Sequence, residues 1–233
     1  MFPIRDELPS RITPVATYSI IALCTIVLLL EFSSSNLDSF ISTYALIPRD
    51  VDFSSIDTLF PFISAIFLHA GFWHFFSNMW FLRIFGDNVE ADLGPVTYVL
   101  FYLAGGIVAG LAEYYFIADS NIPMLGASGA IAAVLGYYFV RFPSHKVQTL
   151  IPAFVTFITI RLPAQFVLAM WFITQLFNGT ASFYDSSASA GVAWWAHIGG
   201  FVFGVLVALF LKNNVSRNQT NAEYPDQIIY RSY

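Results

Sequence analysis

Residues 59–82 read LFPFISAIFLHAGFWHFFSNMWFL, a stretch of 24 residues without Asp, Glu, Lys or Arg. A helix rises about 1.5 Å per residue, so this stretch is long enough to cross the roughly 30 Å of hydrocarbon in a bilayer. It also contains His69, His74 and Asn78. A polar side chain in a membrane span costs free energy, so these three residues are candidates for a function.

Further uncharged runs of similar length occur along the chain, at 12–30, 93–112, 120–140, 162–184 and 186–211. Together the runs predict an all-α membrane protein with six spans, at 14–31, 60–82, 96–116, 124–141, 163–178 and 193–211. An additional apolar stretch, 147–160, is too short to span and ends at Arg161. We interpret it as an interfacial or re-entrant segment that leads into the fifth helix. The predicted organisation is an N-terminal segment 1–13, a membrane core 14–211 and a loose polar tail 212–233.

Composition excludes several classes of protein. Of 233 residues 57% are hydrophobic and 11% are charged, and the mean hydropathy is +0.67. A soluble domain averages about 25% charged residues. The aromatic content of 18% excludes a disordered chain, and Cys24, the single cysteine, excludes an internal disulfide framework. The net charge of −5 argues against a nucleic-acid partner.

Basic residues predict the orientation, because cytoplasmic loops are enriched in Lys and Arg. With six spans, nine of the ten basic residues fall on one side and only Arg49 falls on the other. Both termini are therefore expected in the cytoplasm, and the default location is a prokaryotic plasma membrane. The first span could instead be a signal peptide, but Glu31-Phe-Ser-Ser-Ser35 is a poor cleavage site.

Two other predicted spans carry small residues around a reactive side chain. The fourth begins with Gly126-Ala-Ser128-Gly129, and the sixth contains Ala196-His197 followed by Gly200 and Gly204. The spacing of these glycines permits close helix contact, and the fourth helix has a matching small stripe of Ser128, Ala132 and Gly136. All three polar spans run inward from the outer face, which places His74, Asn78, Ser128 and His197 at similar depth. A serine and a histidine at matched depth could form a nucleophile–base pair.

Other interpretations of these residues remain. A serine in a membrane helix commonly bonds its own helix, and a histidine can simply join two helices. Three histidines in spans could form a metal site, although no carboxylate or thiol at the same depth completes the ligand set. A proton relay would require Asp or Glu within the spans, and only Glu31 and Glu113 come near, both at helix ends.

In combination, the motifs resemble the rhomboid family of intramembrane serine proteases. The second helix has H-x-x-x-x-H-x-x-x-N, as His69, His74 and Asn78, and Glu90 with Gly94 fits the E-x-x-x-G that follows it. The fourth helix has G-x-S-G and the sixth has A-H-x-x-G-x-x-x-G. The resemblance covers roughly residues 12–211 and implies the minimal six-helix rhomboid-like bundle.

The resemblance implies a role for each of these residues. Ser128 would be the nucleophile and His197 the general base, and neither needs a metal or a cofactor. The Ser128 backbone N–H, Asn78 and His74 would hold the oxyanion. His69 would support the site or hold water. The remaining motif residues would support the architecture: Gly126, Gly129, Glu90, Gly200 and Gly204. The substrates would be mostly single-pass membrane proteins, cut near the outer face.

Two features of the predicted site stay open. Some bacterial relatives stack the catalytic histidine on a tyrosine four residues after the serine, and Ala132 occupies that position, so the residue that orients His197 is not evident. The loop 179–192, rich in Ser, Ala and Gly, is predicted to cap the site and to form a substrate gate with the top of the fifth helix.

Competing functions are an inactive relative that binds or chaperones membrane proteins, and a transporter. The motif residues argue against the first, and the absence of repeats argues against the second.

Overall fold

The computed structural model describes residues 2–8, 12–153, 156–182 and 192–221, with side chains up to residue 212 in the last range. The longer helices are α1 Val15–Ser33, α2 Leu37–Tyr44, α5 Phe72–Leu93, α6 Pro95–Ile117, α7 Ser128–Arg141, α8 Ala164–Ala181 and α9 Trp194–Asn221. Between α2 and α5 lie short helical turns, α3 Ile56–Leu59 and α4 Pro61–Ser64, and 3-10 turns at Pro48–Asp50 and Ala65–Phe67. The strands are β1 Phe2–Asp6, β2 Lys146–Ala153 and β3 Thr156–Pro163.

Within the described residues, three helical segments are long and apolar enough to cross a membrane: Val15–Ser33, Pro95–Ile117 and Trp194–Lys212. A fourth span results if the bent pair Ile56–Phe67 and Phe72–Leu93 counts as one. Helix α7 has only 14 residues, but each residue from Gly129 to Tyr138 is buried. It therefore lies at the centre of the bundle, where neighbouring helices shield it from lipid.

The second predicted span, 60–82, is not one straight helix. The chain bends by 77° between the turns that end at Phe67 and α5, which begins at Phe72. Gly71 has φ +126°, a conformation that favours glycine. His69 therefore precedes α5 instead of lying within the second helix, which corrects the sequence prediction. At its other end α5 continues past residue 82 to Leu93, where Gly94 with φ +78° and Pro95 stop it.

The prediction of an all-α chain is wrong, because the chain also contains a three-stranded antiparallel sheet in the order β1-β2-β3. Most of the stretch 147–160, predicted as an interfacial or re-entrant segment, belongs to strands β2 and β3. Their register runs from Lys146↔Pro163 to Ala153↔Thr156. The N-terminal segment supplies the third strand, with Phe2 opposite Leu150.

The sheet packs on the helix bundle through β1. Trp80 of α5 donates from Nε1 to the Pro3 carbonyl at 2.8 Å and stacks on the Phe2 ring. Asp6 accepts from Asn88 Nδ2 and from the Tyr138 hydroxyl, each at 2.7 Å. Because Trp80 and Asn88 lie on α5 and Tyr138 on α7, the N-terminal strand ties these two helices together.

The contact of Asp6 with the bundle predicts a pH-dependent stability. Burial raises the pKa of Asp6 to about 7, and the neighbouring Asp87 adds to the increase, against the opposing hydrogen bonds from Tyr138 and Asn88. The folded state then takes up a proton below about pH 7 that the unfolded chain takes up only near 3.8. Stability should therefore rise as the pH falls from 8 to 5, because the penalty of the buried carboxylate is removed.

The measurement is the melting temperature of the detergent-solubilised protein across that pH range. In Asp6→Asn the rise towards low pH should be smaller, since the titrating group is gone. Asp57→Asn makes the same change at an exposed position in the short helix α3. It is the control and should keep the wild-type pH dependence. An unchanged pH profile in Asp6→Asn would contradict this prediction.

Buried carboxylates join the helices at their ends. Glu90 is fully buried and accepts hydrogen bonds from the backbone N–H groups of Ala16 and Thr17 and from the Thr17 hydroxyl, at 2.7–2.9 Å. Glu113 of α6 accepts from the Ala196 N–H at 2.7 Å. The first N–H groups of a helix lack internal acceptors, so Glu90 caps α1 and Glu113 caps α9. The predicted supporting role of Glu90 thus has a specific structural basis.

Helix α9 continues to Asn221, into the range 212–233 that the sequence predicts as a polar tail; the rest of that range lies outside the described residues.

Candidate functional site

Ser128 and His197 lie in direct contact, with Ser128 Oγ 2.7 Å from His197 Nε2. Ser128 is the first residue of α7, and His197 lies in the first turn of α9. Both helices begin on the same side of the bundle, so the two side chains meet at matched depth, as the sequence predicts.

Glycine permits the close approach of α7 and α9. A Cβ atom on Gly200 would overlap the carbonyl oxygen of Gly129, and one on Gly204 would overlap that of Ala133. Gly136 meets the Phe201 carbonyl in the same way. The small stripe predicted on the fourth helix therefore faces the glycines of the sixth.

Gly126 has a separate role, in the turn before α7. Its φ of +133° favours glycine, and a Cβ atom there would lie 2.7 Å from Cε1 of His74. The glycine thus permits the imidazole of His74 to lie against the turn that presents Ser128.

A cavity of about 440 Å³ opens beside the Ser128–His197 pair. Four helices and the segments next to them contribute its walls, with lining residues that include Asn78, Phe81, Leu135 and Trp171. The cavity holds both reactive side chains together with hydrogen-bond donors and apolar surface, as a substrate site requires.

His74 and Asn78 present donors to this cavity. The Ala70 N–H donates to His74 Nδ1 at 3.3 Å, which leaves the proton of a neutral ring on Nε2. Asn78 is 7% exposed, and among the described residues its Nδ2 has no hydrogen-bond partner. A buried amide without a partner is costly, so Asn78 is poised to bind an oxygen that enters the cavity.

His69 is placed beside these residues but not among the donors of the cavity wall. It is 4% exposed, and its ring packs edge-on against His74 and Phe75. In the part of the chain that the structure describes, neither ring nitrogen meets a hydrogen-bond partner. Its backbone N–H donates to Glu31 Oε1 at 2.9 Å. Within the described residues, no three His, Cys, Asp or Glu side chains are grouped as a metal site requires.

Sequence reasoning missed Gln175. Its Oε1 lies 2.8 Å from His197 Nδ1, opposite the contact with Ser128. Trp171, one turn earlier on α8, places its ring 5.8 Å from the imidazole centroid, in a tilted arrangement. Ala132 stands where some bacterial relatives have a tyrosine four residues after the serine. It is fully buried in the bundle, where it packs between helices. A glutamine within an apolar span was the available signal, since such a residue needs a partner.

The predicted cap at 179–192 lies mostly outside the described residues, which resume at Val192 after Ser182. Val192 and Ala193 line the cavity.

Comparisons with known proteins identify the family of the chain. The profile of the "Rhomboid domain" family matches residues 57–214. Rhomboid protein 1, mitochondrial, of Saccharomyces cerevisiae is 26% identical over 194 residues, which are 77% of this chain and 49% of that protein. Presenilin-associated rhomboid-like protein, mitochondrial, of Mus musculus is 27% identical over 62% of this chain and 36% of its own length.

A bacterial relative matches over more of its own length. Rhomboid protease GlpG of Haemophilus influenzae is 27% identical over 67% of this chain and 71% of that protein. By contrast, the chain spans about half of the yeast protein and about a third of the mouse protein. The family match covers more than half of the chain, and its range, 57–214, includes every motif residue of the site. This chain is a multi-pass membrane protein that belongs to the rhomboid family.

Proposed function

We propose that this chain is an intramembrane serine endopeptidase in which Ser128 is the nucleophile and His197 the general base. The observation that carries the proposal is the 2.7 Å contact between Ser128 Oγ and His197 Nε2, beside a cavity lined by the Asn78 amide. That amide donor meets no acceptor among the residues that the structure describes. Membership of the rhomboid family and the similarity to a protein named as a protease support it.

In the first half of the reaction, Ser128 Oγ attacks the scissile carbonyl carbon while His197 Nε2 takes the hydroxyl proton. The carbonyl oxygen becomes an oxyanion in a tetrahedral intermediate. Collapse of the intermediate breaks the C–N bond, and the proton on His197 passes to the leaving amine. The product is an ester between Ser128 and the new carboxyl end of the substrate.

In the second half, His197 takes a proton from a water molecule that attacks the ester. The second tetrahedral intermediate expels the serine oxygen, which recovers its proton from His197. Water must reach the site although it is excluded from lipid, and the cavity of about 440 Å³ offers room for it.

We propose three donors for the oxyanion. The Ser128 N–H opens α7 and lies among the groups that a helix leaves without an internal acceptor. Asn78 Nδ2 has no partner within the described ranges, and His74 Nε2 carries the proton when Nδ1 accepts from Ala70. Removal of one such donor typically costs about 10²–10³ in turnover.

We further propose that α1 and α5 to α9 form a six-span core over residues 14–211. The basic residues support cytoplasmic termini, which places the N-terminal end of α7, and with it Ser128, near the outer face. Substrates would be transmembrane segments, mostly of single-pass proteins, cut near that face. The segment must unwind first, because helical hydrogen bonds occupy the peptide carbonyl. The proposed location is the plasma membrane.

The test is cleavage of a fluorescent single-span protein that has small residues at its outer boundary, by the purified chain in detergent. We expect a single cut near the outer boundary and labelling of the chain by a fluorophosphonate probe. A well-folded sample that neither cleaves nor labels would overturn the proposal and favour a protein that binds or chaperones membrane proteins.

A further inference from the structure

Gln175 is a buried polar residue on the apolar helix α8, with 5% of its surface exposed. Both polar atoms of its amide have hydrogen-bond partners. Nε2 lies 3.0 Å from the Trp171 carbonyl oxygen and 3.1 Å from Thr174 Oγ1, and Oε1 lies 2.8 Å from His197 Nδ1. The mechanism above does not need this residue as a reactant, so the contact calls for another explanation.

The orientation of the amide follows from the partners. The Trp171 carbonyl can only accept, so the amide group that faces it must be the NH₂. Thr174 uses its own hydroxyl proton on the same carbonyl, at 2.6 Å, and its oxygen is therefore free to accept from Gln175. Oε1 of Gln175 is left to face His197.

The orientation of the amide in turn fixes the proton on the imidazole. Oε1 can only accept a hydrogen bond, so His197 Nδ1 must carry a proton. In the neutral ring, Nε2 is then without a proton and accepts from the Ser128 hydroxyl. This is the tautomer that a general base requires, because the lone pair that takes the serine proton must lie on Nε2.

We propose that Gln175 is the positioning residue that holds His197 in its reactive tautomer and orientation. It occupies the place that a carboxylate has in a Ser-His-Asp triad, but without a charge that would have to be buried in the membrane. The inference rests on the proposed function of Ser128 and His197. Gln175 does not exchange a proton during the reaction: its oxygen accepts from Nδ1–H both before and after His197 takes the serine proton.

The location of Gln175 adds a consequence. His197 lies on α9, whereas Gln175 and Trp171 lie on α8, so the tautomer depends on how these two helices pack. Large side chains of α8 face away from the bundle, among them Ile173 and Phe177, which are 53% and 73% exposed. Because the partner of His197 Nδ1 lies on α8, a displacement of α8 would break that hydrogen bond. His197 is thus held in its reactive tautomer only while α8 is packed on α9.

The test compares Gln175→Met, which keeps the length of the side chain but not its hydrogen bonds, with the wild type. We expect kcat for the membrane substrate and the rate of fluorophosphonate labelling to fall about 100-fold, the lower end of what general-base catalysis contributes. KM should stay near its wild-type value, since Gln175 does not face the substrate. Gln165→Met is the matched control, because it makes the same change at an exposed position at the other end of α8, and it should behave as wild type.

Nitrogen-15 NMR of histidine-labelled protein provides the direct readout, with the His197 signals assigned by their loss in His197→Ala. In the wild type the proton should lie on Nδ1, and in Gln175→Met the spectrum should show a mixture of tautomers. A purely structural role would lower the melting temperature without changing the tautomer. An unchanged tautomer in Gln175→Met, or unchanged labelling of a folded variant, would overturn the inference.

Failure of the proposed function would look different. A wild-type protein that neither cleaves nor labels would refute the endopeptidase, yet its NMR spectrum would still show whether Gln175 sets the tautomer of His197.

Discussion

Ser128→Ala should reduce cleavage of a membrane substrate by at least about 10⁴-fold and abolish fluorophosphonate labelling. In serine proteases the nucleophile and its base act as a unit, and loss of the serine alone costs about as much as loss of the whole triad. In this chain the serine oxygen is the only group that touches the reactive nitrogen of His197 at hydrogen-bond distance among the described residues. His197→Ala should therefore cost a similar factor, and the double variant should be no worse than either single one.

Ser64→Ala is the matched control for this prediction. The Ser64 hydroxyl donates to the Tyr44 carbonyl at 2.7 Å, away from the cavity, so the variant should cleave at the wild-type rate. Melting temperatures of both variants show whether the fold is intact. Cleavage that survives in Ser128→Ala would mean that another group attacks the substrate, and the assignment of the nucleophile would be wrong.

Motif residues were predictable because their spacing along single helices carries the information. His74 and Asn78 are four residues apart and share one face of α5, and the glycines of α9 recur every four residues. The contact between Ser128 and His197 could be anticipated from depth alone, since each lies within the first turn of its helix. The roles of these residues remain proposals, but their proximity is a property of the fold.

Other parts of the molecule depend on packing that no local pattern shows. Residues 147–160 carry apolar side chains on both faces, so periodicity could not separate a β-hairpin from a membrane segment. The β-branched residues of β3 and the turn-like Phe142–His145 segment were the available cues. The pairing of β1 with β2 joins segments more than 140 residues apart, and sequence spacing gives no sign of it. Gln175 was recognisable as an unusual residue, but its partner depends on the rotation of α8 against α9.

Gly200→Ala should have the second large effect, because it separates the two helices that carry the reactive residues. A methyl group at this position would overlap the carbonyl oxygen of Gly129 and press on Cβ of Ala132. A backbone carbonyl inside a helix cannot move aside as a side chain can, so α9 must shift away from α7. Overpacking of this kind typically costs about 1–3 kcal/mol, and we expect the upper end of that range.

The loss of activity should exceed what the loss of stability explains. His197 lies one turn before Gly200 on α9, and Ser128 is the neighbour of Gly129 on α7. A shift of α9 away from α7 at Gly200 therefore lengthens the 2.7 Å contact between Ser128 Oγ and His197 Nε2. At a temperature where the variant remains folded, fluorophosphonate labelling should still be strongly reduced. Gly179→Ala is the matched control, because the three nearest atoms that a methyl group there would meet in the described residues belong to side chains, the nearest being Ile198 Cδ1 at 3.3 Å. If Gly200→Ala melted and labelled like Gly179→Ala, the close contact of α7 and α9 would not be what holds serine and histidine together, and the dyad would have to be maintained from the α8 side alone.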